Sequence, residues 1–159
     1  MIIISGKEIM PVMLDIPVQS LCCRPYPGHS KGCPNFNHRA NCPPRAPTWN
    51  EVFDTTRPTY CIVNRFNLAE HIERMKALHP GWSSRQLECC LYWQGTARKD
   101  LRAGIAEFKK SHSEYIVEEC PEAMGVNVTE TVRQVGVVLE WPPKKYVCHV
   151  ALVGIRDEG

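Results

Sequence analysis

The chain has 159 residues, a formal net charge of +2, 43% hydrophobic and 23% charged residues. That length favours one domain over residues 1–159, with enough chain to bury an apolar core, and so small an excess of cations is no nucleic-acid footprint by itself. MIIISGKEIM lacks a basic n-region and meets Lys7 and Glu8 at once, and no apolar run approaches the length of a membrane span. The expectation is a soluble, cytoplasmic protein with no membrane partner.

Taken in chain order, residues 2–19 read as one or two strands, with Ser5-Gly6-Lys7 as a hairpin turn. A proline-rich loop follows to Pro47. Thr48 with Glu51 predicts a capping box for a short helix, and TYCIVNRF a strand. Asn67 with Glu70 starts a helix whose Leu68, Ile72 and Met75 share a face and which Pro80 stops. Ser83 with Gln86, stapled by Trp82 and Leu87, starts a longer one to about Lys110. Its stripe is Cys90, Trp93, Ala97, Leu101, Ile105 and Phe108, with a weak point near Gly95. Then come a strand, EYIVEE, the turn CPEAMG, a short helix capped by Asn127 with Glu130 and ended by Gly136, and two strands, VVLEW and YVCHVALVGI. Strands alternating with helices predict an α/β fold, with α+β as the alternative: a single mixed sheet flanked by helices, interrupted by an irregular loop over residues 21–48.

That loop carries the chemistry. CCRPYPGHSKGCPNFNHRANCPPRAP, residues 22–47, holds four cysteines, six prolines, two histidines and no acid. So many prolines exclude a helix or strand interior. In a reducing compartment a loop dense in cysteine points to metal or catalysis rather than disulfides, and the odd total of nine cysteines agrees. Cys33 and Cys42 each precede a proline, which stiffens the chain beside a ligand, and Gly28 and Gly32 permit tight turns around a bulky object. Cys-Pro also ends the bacterial ferredoxin run. Arg24, Lys31, Arg39 and Arg45 are placed to balance thiolate charge. Structural zinc favours C-x2-4-C knuckles, which this loop lacks, so an iron–sulfur cluster is preferred; a Cys/His zinc site using His29 or His38 stays open. Buried free thiols are the third reading, and such thiols more often occupy regular core positions.

The pattern CC-x9-C-P-N-F-x5-C-P-P, together with the late CPEAMGVNVTETVRQVG, resembles the uncharacterised bacterial and archaeal family of predicted metal-binding, cysteine-rich proteins, over roughly residues 20–140. The resemblance implies a metal, an iron–sulfur cluster of the 4Fe–4S type before others, and no established reaction. By position it implies Cys33, Cys42, either Cys22 or Cys23, and the late Cys120 as ligands. Longer members carry further cysteines that this chain lacks, which leaves the fourth ligand in question. Four cysteines would close the site for electron transfer or structural support; three would leave an iron open as a Lewis acid.

Elsewhere, Cys61 and Cys148 read as core strand residues and Cys90 as a packed helix residue. Cys148 and His149 are neighbours on a strand, point to opposite faces, and form no dyad with each other. His71 and His79 read as surface residues. The long helix is basic (Arg85, Arg98, Lys99, Arg102, Lys109 and Lys110) and has Tyr92 and Trp93 nearby, so an RNA contact is available, behind the reading of a solvated face; Gly95 raises the same thought for an anion. No coenzyme fingerprint or triad spacing discloses a reaction. The expected function is therefore a metal-binding, iron–sulfur protein in a redox or substrate-binding role with a redox or protein partner. The alternatives are a zinc-stabilised module that binds nucleic acid or protein, and a metal-free thiol enzyme.

Overall fold

Two apolar runs, YCIVNRFN and YVCHVALVG, are rich in the β-branched residues that suit a pleated surface. In the computed structural model, which describes residues 1–26 and 29–159, they form the strands β2 (Tyr60–Asn67) and β4 (Tyr146–Gly154). These pair antiparallel from Tyr60 opposite Val153 to Asn67 opposite Tyr146. Cys61, Val63, Val150 and Leu152 face one apolar cluster, and Ile62, Ala151 and Val153 face another. Both faces are covered, so the central stretches Cys61–Val63 and Val150–Val153 are apolar without a break.

Two short strands complete one sheet of order β1-β2-β4-β3: β1 (Ile2–Ile4) beside β2, and β3 (Ile116–Glu118) beside β4. The single sheet with helices matches expectation. Every pairing in it is antiparallel, the arrangement of the α+β alternative.

The expected hairpin at Ser5-Gly6-Lys7 does not form. Ser5 donates its amide to the Cys61 carbonyl at 2.9 Å, and Ile9 donates to Thr59 at 2.8 Å, so the chain keeps its direction along β2. Residues 6–8 are instead a bulge, in which two extra residues leave the ladder. The following segment lies against residues 125–134. Leu14 donates to the Gly125 carbonyl, Asn127 donates to the Val12 carbonyl, and the Gln134 amide bonds both backbone groups of Met10.

Helix starts follow the local chemistry. Thr48 and Glu51 form a capping box at α2 (Trp49–Val52), and Ser83 and Gln86 form one at α4 (Ser84–Leu87). Asn67 caps α3 (Leu68–Leu78), and Asn127 caps α6 (Val128–Arg133). A five-residue helix, α1 (Val18–Cys22), precedes the cysteine loop. The long helix expected from Ser83 to Lys110 is divided: α4 ends at Leu87, a 3₁₀ turn covers Cys90–Tyr92, and α5 runs Gln94–Lys109. Trp93 sets the division. Its ring stacks on Phe66 at 5.2 Å and its indole N–H donates to the Glu88 carbonyl. Cys90 is consequently exposed, not part of the stripe.

Beyond that break Ala97, Leu101 and Phe108 are buried against the sheet as expected, Ile105 is half-buried, and Gly104 is buried beside them. A Cβ at Gly104 would stand 2.7 Å from an Ile2 methyl, so only glycine lets α5 lie this close. VVLEW is not a strand. Val137 and Leu139 pack on the first cluster while Val138 and Trp141 are exposed, and Pro142 and Pro143 supply no amide donors for a ladder. His71 is buried, not on the surface as expected. It completes the apolar face of α3 with Leu68, Ile72 and Met75 and lies against Phe66. Among the described residues no helix is long and apolar enough to cross a membrane.

A Cβ at Gly154 would meet Phe53 at 2.8 Å and Trp49 at 3.1 Å, within a stacked aromatic pair. Gly154→Ala is expected to destabilise by about 1–3 kcal/mol. Gly95→Ala, which meets nothing within 4 Å, should leave the melting temperature unlowered. Thermal denaturation of the two variants checks the contrast.

The Arg74 guanidinium donates to His71 Nδ1 at 3.3 Å, which leaves the proton on the buried, unpartnered Nε2. Burial first, and Arg74 second, depress this imidazole's pKa. A depressed base is neutral in both states above the unfolded value of about 6.5; below it the unfolded chain takes the proton first. Stability is therefore expected to fall as pH drops from about 6.5 towards the depressed folded value, and His71→Leu to flatten that part of the profile. Denaturation midpoints measured across this range test it.

Candidate metal centre

The cysteine loop is held by a chain of turns. Cys22 is the last residue of α1, and its carbonyl accepts the Cys33 amide at 2.7 Å. Gly32 makes this approach possible: its φ is +83°, and a Cβ there would lie 2.4 Å from the Cys22 oxygen. Phe36 donates to Cys33, Asn37 donates to Pro43 at 2.8 Å, and Arg45 and Ala46 both donate to Cys42. These bonds fold Cys33 and Cys42 back over the end of α1. The tight turn expected at Gly28 lies outside the described residues.

Four thiols gather as a result. Burial raises the Cys22 thiol's pKa, and the charges of Cys33, Cys23 and Cys42 raise it further. Cys22, Cys33 and Cys42 are half-buried, while Cys23 is exposed. Between the two candidates for the first position, Cys22 is thus the one turned in towards the others.

Cys120 approaches from the far side of the sequence. It begins the 3₁₀ turn Pro121–Met124, against which α1 packs. Its amide donates to Glu118 Oε1 at 2.7 Å. Burial pushes its thiol up to about 11, helped in order by Glu122, Glu118, Cys42 and Glu119. Cys42 is therefore the loop thiol that also acts on Cys120. The acidic flank was not anticipated from the sequence, although Glu118, Glu119 and Glu122 stand beside Cys120 in it. Glu122 is itself raised, chiefly by desolvation, although the residue keeps an exposed surface.

Among the described residues no three Cys, His, Asp or Glu side chains converge as ligands of a single ion. A tetrahedral zinc with sulfur ligands at about 2.3 Å would draw them within roughly 4 Å of one another.

The remaining candidates separate from this group. Cys61 is fully buried in β2, as expected, and Cys148 is half-buried in β4. His149 leaves Nδ1 buried without a partner on the face opposite Cys148. His29 and His38 are exposed, and His29 packs against Tyr26 at 4.6 Å. Arg24, Lys31, Arg39 and Arg45 have exposed side chains and, among the described residues, neither an ion pair nor a hydrogen bond; they do not neutralise a thiol by contact. On the long helix, Trp93 is buried against Phe66 and is not free to stack on a base, while Tyr92 packs on Trp82 at 4.9 Å. No family profile, curated protein or solved structure matches the chain.

In metal-free protein the exposed Cys23 and Cys90 are expected to alkylate first and Cys61 last. A thiol at about 11 holds about a hundredfold less thiolate near neutral pH than one at 9, and the thiolate is the nucleophile. Cys120 should therefore lag until the pH is raised. Site-resolved mass spectrometry during iodoacetamide treatment gives the order.

Proposed function

We propose that the protein is a metal-binding protein of the cysteine-rich family it resembles, and that it carries an iron–sulfur cluster on Cys22, Cys33 and Cys42 of the loop with Cys120 as the distant ligand. The observation that supports this most is that the loop closes Cys33 onto Cys22 through a backbone bond, with Cys33, Cys23 and Cys42 near enough to act on Cys22 and Cys42 near enough to act on Cys120. A cluster distributes its cysteines over several irons. Its ligands therefore need not converge on one ion.

When bound, such a cluster supplies one-electron chemistry or, if one iron lacks a protein thiolate, a Lewis-acidic position. The chain's part is to shape and shield it. Gly32 lets the Cys33 strand of the loop close on Cys22. Pro34 and Pro43 stiffen the chain after two ligands, and the turn starting at Pro121 fixes Cys120. We place the protein in the cytoplasm, where thiols stay reduced, and assign it a redox or substrate-binding role.

Anaerobic purification with iron, zinc and acid-labile sulfide analysis tests the proposal. Iron with matching sulfide and visible charge-transfer absorption is expected. One equivalent of zinc without sulfide overturns the cluster, and absence of any metal overturns metal binding. Cys33→Ala and Cys42→Ala should each lose most of the metal, while Cys61→Ala, though less stable, should keep it. Equal metal in all three variants would refute the ligand set.

A further inference from the structure

We infer that the exposed face of the cysteine loop is a docking surface for an acidic protein. Arg24, Lys31, Arg39 and Arg45 all expose their side chains, and none is engaged by an acid or a hydrogen bond among the described residues. They are also brought to one place. Arg24 follows Cys23, and Lys31 precedes Gly32, which lies against the Cys22 and Cys23 backbone. The Arg39 carbonyl takes the Cys42 amide, and Arg45 donates its amide to Cys42. Each cation is thus within three residues of a thiol in the group and is exposed there, and together they are taken as a basic rim.

No acid occurs between Asp15 and Glu51 to offset them. Across the thiols, Glu119 is already paired with Arg102, and Glu118 is turned to the Cys120 amide. Two of the three acids near Cys120 are therefore already engaged. Cations held on stiff turns with no internal partner meet opposite charge on a partner with little loss of existing contacts, which favours fast, salt-sensitive association.

The rim fits a protein better than a nucleic acid. Binding to a single strand calls for several free aromatic faces. Here Tyr26 is exposed but packs on His29, and Phe36 is half-buried. The chain's pI of about 8.1 is also below that of a typical nucleic-acid domain. The inference goes beyond metal binding and does not depend on it.

The test measures binding of fluorescent poly-L-glutamate and of poly(U) RNA by anisotropy, with metal-loaded and metal-free protein side by side. Cytochrome c serves as a basic control. Poly-L-glutamate is expected to bind, to weaken at least tenfold between about 0.05 and 0.2 M salt, and to outcompete poly(U) at equal charge. The variant Arg24→Glu/Lys31→Glu/Arg39→Glu/Arg45→Glu should lose at least tenfold in affinity with an unchanged melting temperature. Arg39→Gln/Arg45→Gln should lose part of it, and Arg98→Glu/Lys99→Glu on α5 should lose none.

Any of four results overturns the docking surface: no binding of poly-L-glutamate at low salt, equal binding of cytochrome c, retained affinity in the fourfold variant, or tighter binding of poly(U), which would assign the rim to nucleic acid. Metal content, read on the same samples, reports separately on the cluster.

Discussion

The β2–β4 ladder is the interaction on which the other elements rest. Eight residue pairs, from Tyr60 with Val153 to Asn67 with Tyr146, set two long strands in one register. A slip of one residue would exchange Cys61 and Val63 with Ile62 and Asn64 between the two faces. That exchange is costly because the faces are specialised. One receives α5 at close range through Gly104, and Asn64 on that face donates to the Ala97 carbonyl at 2.7 Å. The other takes Trp49, Phe53, Met124, Val126 and Val132.

The thiol group is positioned from that second face. Met124 and Val126 are anchored in its cluster, and the segment from Met10 to Leu14 is bonded along residues 125–134. The same segment leads into α1, whose last residue is Cys22. One short run of backbone therefore connects the core to both sides of the site: Cys120 just before the anchored turn, and Cys22 just after the docked segment. The loop itself contributes little apolar burial; it depends on turn bonds and on prolines that reduce the freedom of the unfolded chain. On the cluster reading, bound metal would supply stability the loop lacks, since metal affinity and folding are then one equilibrium.

Features written in a few adjacent residues were legible in the sequence. The pairs Thr48 with Glu51, Asn67 with Glu70, Ser83 with Gln86 and Asn127 with Glu130 marked four helix starts, because capping is settled within one turn of chain. Features set by distant partners were not. Residues 6–8 carry turn chemistry, and only the neighbouring β2 makes them a bulge. Trp93 ends up where Phe66 draws it, which divides the helix and exposes Cys90. His71 has the spacing of an apolar face, and only its packing against Phe66 shows that it is buried. The loop's cysteine content was plain, but the inward position of Cys22 and the acids beside Cys120 depend on α1 docking against the Pro121–Met124 turn.

The charge distribution around the thiols follows from the same geometry. Loop cations expected to offset thiolates stand in solvent instead, while carboxylates from the β3 end act on Cys120. A thiol with acids beside it is held protonated, which disfavours a free nucleophile there. None of the groups that act on Cys120 lowers its pKa. Acids act on Cys120 while the loop cations stand unpaired, so the proposed ligand site and the proposed docking surface draw on different residues.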